Sequence, residues 1–352
     1  MQLLPRVLRA LSFVAATVVL GGASVGCSSK KTNTIVAAPK TNAPPPAIDS
    51  DPFALMPFGA VMVASIDARQ VAGSTAGGDL IAVAEKLMPF AKDIDFQIKR
   101  DLDHAYVGMY SFSGADVLGV LSGTFHPDKI DAAVAKGLNT SYGVVVASTY
   151  AGRKLYTVAN EGFTVLTDRT VLVGSESAIR RALDRIQAGT IRREIAPWMS
   201  DWVNQTGYAV TVASDVTKQS FGKTVSNMLP WVDGVQYVRV RGRFNPDGSF
   251  GMSGALSYPD ANKAQQSGAA MASMTKSLGL MAMLKVIGID PLVRNLTVQS
   301  QAKDVDFQTV LDEKSLRTVI HFATDWIGSG APPQLPTPAA TPQGGSGGGT
   351  SI

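Results

Sequence analysis

Few residues of this 352-residue chain are of a type and spacing that could do chemistry. Its three histidines, His104, His126 and His321, are far apart and show no paired ligand spacing. Each falls near an expected strand end, which suits a structural role better than zinc binding or base catalysis, and zinc would also lack thiol ligands. Acids alternate at Asp93 and Asp95, at Asp101 and Asp103, and at Asp304 and Asp306. Alternation places each pair on one strand face, where a hard cation could sit. Lys99 and Arg100 separate the first two pairs, however, and no loop has EF-hand form, so these acids are expected at solvated strand ends. Ser220-Phe221-Gly222-Lys223 and Ser273-Met274-Thr275-Lys276 match S-x-x-K on expected helices, without the S-D-N and K-T-G companions. Residues 51–330 hold no G-x-S-x-G, P-loop or dinucleotide fingerprint. The expectation is a chain without catalytic residues, cofactor or metal.

One apolar feature has the look of a binding surface. Met271, Met274, Leu278 and Met281, continued by Leu284 and Val286, form a methionine-rich helical face. Methionine packs adaptably and is overused at promiscuous apolar sites, so a lipid-like ligand is one occupant; the other is the protein's own core. Lys276 and Lys285 interrupt the run, which excludes a membrane span.

The most reactive atom lies outside the body. Cys27 is the sole cysteine, so no intramolecular disulfide can form. It follows Arg6 and Arg9, an uncharged apolar run from Leu11 to Leu20, and the small residues Gly21 to Gly26. The apolar run is too short to span a bilayer, which points to an export signal over residues 1–26. Ser24-Val25-Gly26-Cys27 resembles the lipobox of bacterial lipoproteins, with Ser24 in place of the usual Leu. The resemblance implies cleavage before Cys27 and acylation of its sulfur. A conventional cut after Gly26 also fits a small-x-small rule, but it would leave an exported free thiol. Two acyl chains hold a protein on a membrane where one is marginal. Ser28, rather than Asp, after the cysteine resembles proteobacterial lipoproteins sorted to the outer membrane of a Gram-negative cell. Residues 27–50, with Pro44-Pro45-Pro46, read as a lipidated extended tether, and residues 331–352 as a disordered Pro/Gly-rich tail.

Charge excludes another class of partner. The net charge of +4 comes from five basic residues and one acid before residue 51, and residues after 330 carry none. The body between holds 27 of each sign, so it has no nucleic-acid footprint. With 45% hydrophobic residues it is long enough for one large or two medium domains.

Repetition organises that body. Ala60-Val61-Met62-Val63-Ala64-Ser65 recurs as Ala209-Val210-Thr211-Val212-Ala213-Ser214. Leu87-Met88-Pro89-Phe90 matches Met228-Leu229-Pro230-Trp231, and Leu121-Ser122-Gly123 with Pro127-Asp128 matches Met252-Ser253-Gly254 with Pro259-Asp260. Each copy spells a strand, an amphipathic helix, and two strands joined by a short turn (105–112 with 117–125; 236–244 with 249–258). A helix opened by Pro-Asp follows in both. The first copy adds a hairpin of 154–158 with 163–173 and a helix capped by Ser175; the second adds strands near 296–301, 306–311 and 319–322. The expected fold is α+β: two related halves, 51–195 and 196–330, each of antiparallel strands with helices packed on one face.

Gly123-Thr124-Phe125-His126-Pro127-Asp128-Lys129 and the run Val171 to Asp184 (V-L-V-G-S-E-S-A-I-R-R-A-L-D) resemble steps shared by bacterial envelope proteins of unassigned function. That resemblance implies a fold and a compartment and no catalytic residue. The functional expectation is a non-enzymatic, membrane-anchored envelope lipoprotein that binds a partner or has a structural role, with a carrier or sensor of a lipid-like ligand as the alternative.

Overall fold

A computed structural model of the chain describes residues 48–87, 91–112, 116–140, 143–219, 226, 229–274 and 294–329. The expected leader and tail, Cys27, Leu278, Met281 and the Ser220–Lys223 match lie outside the described residues.

The described chain forms strands β1 (Met62–Asp67), β2 (Leu102–Met109), β3 (Val117–Gly123), β4 (Asn139–Thr140), β5 (Gly143–Val144), β6 (Val146–Tyr150), β7 (Arg153–Val158), β8 (Glu161–Val165) and β9 (Thr170–Ser175). Strands β10 (Val210–Asp215), β11 (Tyr237–Phe244), β12 (Phe250–Ser257), β13 (Thr297–Gln301) and β14 (Asp304–Leu311) follow. The helices are α1 (Ala68–Gly73), α2 (Gly77–Leu87), α3 (Ile98–Asp101), α4 (Pro127–Ala135), α5 (Glu176–Gln187), α6 (Pro197–Val203), α7 (Ala261–Met274) and α8 (Glu313–Ser329).

All strands but β4 and β5 join one twelve-stranded antiparallel sheet in the order β13-β14-β12-β11-β10-β1-β2-β3-β9-β8-β7-β6. The repeated strands meet at its middle, where β1 pairs with β10. Val63 faces Ala213 and Ala64 faces Val212. The repeat equates Val63 with Val212 and Ala64 with Ala213, so a local two-fold axis runs between those two pairs. The Leu121/Met252 match does not obey this axis. The ladder from Met62 passes through Met109 to Val117, and the ladder from its counterpart Thr211 passes through Arg241 to Ser253. Val117, not Ser122, therefore occupies the place of Ser253.

Helices cover both faces of the sheet, where each half was expected to carry them on one. On the first face Val63, Leu118, Val120 and Leu172 pack against Ala178, Ile179, Ala182 and Leu183 of α5 and Met199 and Val203 of α6. On the second, Ala64, Val107, Val212, Val240, Met252 and Leu256 join Ala264 and Met271 of α7 and Leu316 and Ile320 of α8. Ile130 of α4 closes a smaller cluster with Ala105, Leu121 and Val171 on that same face. The cause is strand alternation: neighbouring residues of β3 or β10 point to opposite faces, and both sets are apolar.

Two further expectations change. The strand expected over 163–173 is two, β8 and β9, because the Thr167 hydroxyl accepts from the Arg169 and Thr170 amides and closes a turn. The strand expected near 319–322 is part of α8, which Asp312 caps by accepting from the Ser315 amide (2.7 Å), while Leu316 and Ile320 bury one stripe. Strands β4 to β6 and helix α6 had no expectation at all.

Gly174 shows how tightly β3 and β9 approach: it sits at φ +142° and a Cβ there would lie 2.2 Å from the Val117 carbonyl oxygen. Gly174→Ala should lower unfolding stability by about 3 kcal/mol, since backbone must shift in a close-packed region. The urea midpoint measured with an unchanged m-value checks it.

Candidate functional site

The structure places the sequence-derived candidates apart from one another, most of the acids in ion pairs. His104 lies in β2, stacked 5.8 Å from the Tyr106 ring and 3.7 Å from an Asp67 oxygen. His126 is the N-cap position of α4, and His321 is exposed on α8. Asp95 takes Lys129 (2.6 Å) and Arg100, and both cations hold its carboxyl below the usual carboxylate range. Asp101 is buried rather than solvated: it pairs with Arg100 (2.6 Å) and accepts from the Gln97 amide (2.8 Å). Asp103 pairs with Arg69 and Arg169, and Asp304 with Arg239. Asp93 and Asp95 lie in a 3-10 turn and the residue after it, not a strand; Asp304 and Asp306 do share a strand face. Among the described residues no three metal-binding side chains converge.

Met271 is 5% exposed and packs in the core with Val305 and Phe307. Met274 ends α7, and its side chain, with Leu278 and Met281, lies outside the described residues. The described part of the methionine face is thus core.

The structure brings forward a surface that the sequence reading missed. The first face of the sheet is covered by α5 on β3 and β9, and by α6 on β1 and β10. Trp198, Trp202 and Tyr208 reach on over Tyr237, Arg239 and Arg241 of β11, and Ala255 of β12 is buried, so among the described residues the same face is open over β14 and β13. Its residues follow from register: Arg239 and Arg241 on β11 lie opposite Ala255 and Ser253, which lie opposite Asp306 and Gln308, which lie opposite Gln299 and Thr297. Asp306, Gln308, Gln299 and Thr297 are exposed.

At its inner margin, cations and aromatic rings gather. The Arg241 guanidinium lies 5.2 Å from the Trp202 ring and 4.8 Å from the Tyr208 ring. It donates to Gln205 Oε1 (3.0 Å) and Ser253 Oγ (3.2 Å), with no carboxylate against it among the described residues. Arg239 lies 5.7 Å from Trp202 and reaches Asp304 at 2.6 Å, while its Nε is buried without a partner. Trp202 is fixed by its own Nε1–H donating to the Val240 carbonyl (3.1 Å). Planar guanidinium stacking of this kind keeps the cation in place while leaving its edge to a partner. Helix α6 and the Gln205–Tyr208 loop supply the rings, and β11 supplies the arginines by alternation.

A second polar group is buried. Asp116, just before β3, accepts from Arg181 Nη2 on both oxygens (3.0 and 2.9 Å) and from Ser175 Oγ (3.1 Å). Glu161 opens β8, is 8% exposed, and leaves Oε2 without a partner. Burial, and then the Asp116 charge, push the Glu161 carboxyl up to about 7. The Tyr110 hydroxyl is also buried without a partner, and burial raises its pKa. No sequence pattern marks this group, because β3, β8 and α5 bring it together.

The folded state therefore favours protonated Glu161, whose ordinary value is 4.5. Its contribution is fully present below that value and is lost as pH rises to about 7, amounting to about 3 kcal/mol. Glu161→Gln should raise stability near pH ~8 and leave it little changed near pH ~4, flattening the pH profile by that amount. Urea unfolding across this range checks the sign.

No protein-family model matches the chain, and no curated protein does. Among solved structures it is similar to TP0453 in three crystal forms. Form I aligns at 12% identity and TM-score 0.49, covering 78% of this chain and 97% of that one. Form III aligns at 10% and 0.46, covering 78% and 99%. Form IV aligns at 11% and 0.47, covering 77% and 96%.

Proposed function

We propose that this chain is a non-enzymatic lipoprotein of the cell envelope, acylated on Cys27, whose body holds an envelope protein through the open face of β14 and β13 and the adjoining Arg241 group. The lipobox-like Ser24-Val25-Gly26-Cys27 and the lone thiol support the anchor, and Ser28 supports the outer membrane of a Gram-negative bacterium. The observation that carries partner binding is the group of Arg239 and Arg241 with Trp202 and Tyr208 beside an uncovered sheet face. Tryptophan, tyrosine and arginine are the residues that dominate binding energy at protein interfaces. The equal numbers of acids and bases in the body speak against nucleic acid.

A lipid-like ligand beneath α7 is the competing reading. Burial of Met271 among Val305 and Phe307 favours core packing instead. Native mass spectrometry separates the two: a co-purifying apolar adduct supports the carrier, and a bare mass supports the partner-binding body.

Crosslinking in the native host, with a photoreactive residue at Gln308, should trap one protein reproducibly. Arg241→Ala should reduce that product more than tenfold, as expected of a central interface arginine, with an unchanged urea midpoint. An equal yield from the variant would remove the assignment. Cys27→Ala should leave precursor or release the chain from the membrane fraction.

A further inference from the structure

Phe58 is the most exposed large apolar side chain among the described residues, at 68%. One exposed phenylalanine alone needs no partner. What surrounds it gives it meaning. Its turn is held: the Phe58 amide donates to Glu194 Oε2 (3.1 Å), the Met56 carbonyl accepts from Arg185 Nη1 (2.8 Å), and Gly59 takes φ +97°. The ring is thus presented by a fixed backbone.

Glu194, which holds the Phe58 amide, also pairs with Arg192 (3.3 Å) and Arg185 (3.4 Å), and the neighbouring Arg193 pairs with Asp51 (2.7 Å). The acids are 17% exposed, Arg192 39% and Arg193 44%. The guanidiniums therefore cover the carboxylates, and the corner turns its positive side outward. Asp51 is three residues from Ile48, the first described residue, which packs against the cluster that includes Tyr150 and Ile186. Asp49, beside Ile48, accepts from the Thr167 and Thr170 hydroxyls (2.6 Å each) at the Asp67 end of the strands, so residues 49–58 run along the sheet from there to this corner.

We propose that the corner formed by Phe58, Arg192 and Arg193 rests on the anionic surface of the bilayer and orients the body upon it, an inference that depends on acylation of Cys27. Each arginine near an anionic surface biases the lipid-facing orientation about fivefold, and an aromatic ring at the headgroup level adds to it. Such contacts are weak for a free protein. They suffice for one whose anchor already holds it beside the membrane, because docking is then intramolecular.

The test uses the full acylated chain carrying Thr190→Cys, an exposed position two residues from Arg192, labelled with an environment-sensitive dye and placed in vesicles. With the Cys27 sulfur consumed, one dye per chain attaches; two dyes mean a free Cys27, which removes the anchor and the corner's role together. In phosphatidylcholine vesicles containing phosphatidylglycerol, emission at position 190 should shift to the blue and be quenched by brominated lipid. A label at Asp306→Cys should stay aqueous. Phe58→Ser and the pair Arg192→Gln/Arg193→Gln should each reduce the quenching severalfold. Aqueous emission at 190 in the singly labelled chain, or quenching that ignores these substitutions, overturns the proposal while leaving the anchor intact.

Discussion

Pairing between β1 and β10 is the constraint on which the rest of the sheet depends. It joins seven strands on one side to five on the other. Without it both strands would be long apolar edges, and exposed apolar edges recruit other chains. Small side chains make the seam possible: Ala64 and Ala213 are essentially unexposed, and Met199 and Val203 of α6 close over Val63 and Ala213 on one face. The two strands are separated by most of the first half of the body, so this contact closes a long loop. It is therefore expected to form late in folding relative to the hairpins on either side.

The asymmetry between the halves also has a physical cause. The chain leaving β9 enters α5, whose buried stripe finds apolar residues on the first face. The chain leaving β14 enters α8 and must find its cover elsewhere, because β14 alternates strictly: Val305, Phe307 and Leu311 are buried, while Asp306 and Gln308 are exposed. Only the second face of β14 offers an apolar surface, so Leu316 and Ile320 go there. The bare face follows from the polarity of every second residue in β13 and β14.

Alternation and turn chemistry made much of this fold legible from sequence. Strands β1, β3, β10, β11 and β12 and the Ser175-capped α5 stand where their patterns place them, and β2 lies three residues earlier than its pattern, at Leu102–Met109. What failed was local chemistry with a non-local partner or a weak pattern. Thr167 breaks a continuous β-prone run by a side-chain hydrogen bond, and Val319 to Phe322 is β-branched enough to pass for a strand until Asp312 caps the helix. The Pro-Asp helix starts are both real but work differently. Pro127 opens α4 itself, whereas Asp260 precedes α7 and accepts from the Lys263 amide. The Arg241–Trp202–Tyr208 group was invisible because β11, α6 and the following loop are only brought together by the sheet.

Twist decides how the two surfaces of the body are disposed. Sheet steps of about 4.8 Å place β14 roughly 30–35 Å from β9, seven strands away in the order. A rotation of about 20° per strand accumulates to about 140° over that distance. The first face is covered by α5 over β3 and β9 and open over β14 and β13, so at that rate of twist the two regions look in widely different directions. Phe58 leads into β1, four strands from β14 in the order, and over that distance the same rotation per strand amounts to about 80°, so under the proposed docking the open face of β14 would stand roughly at right angles to the docked corner.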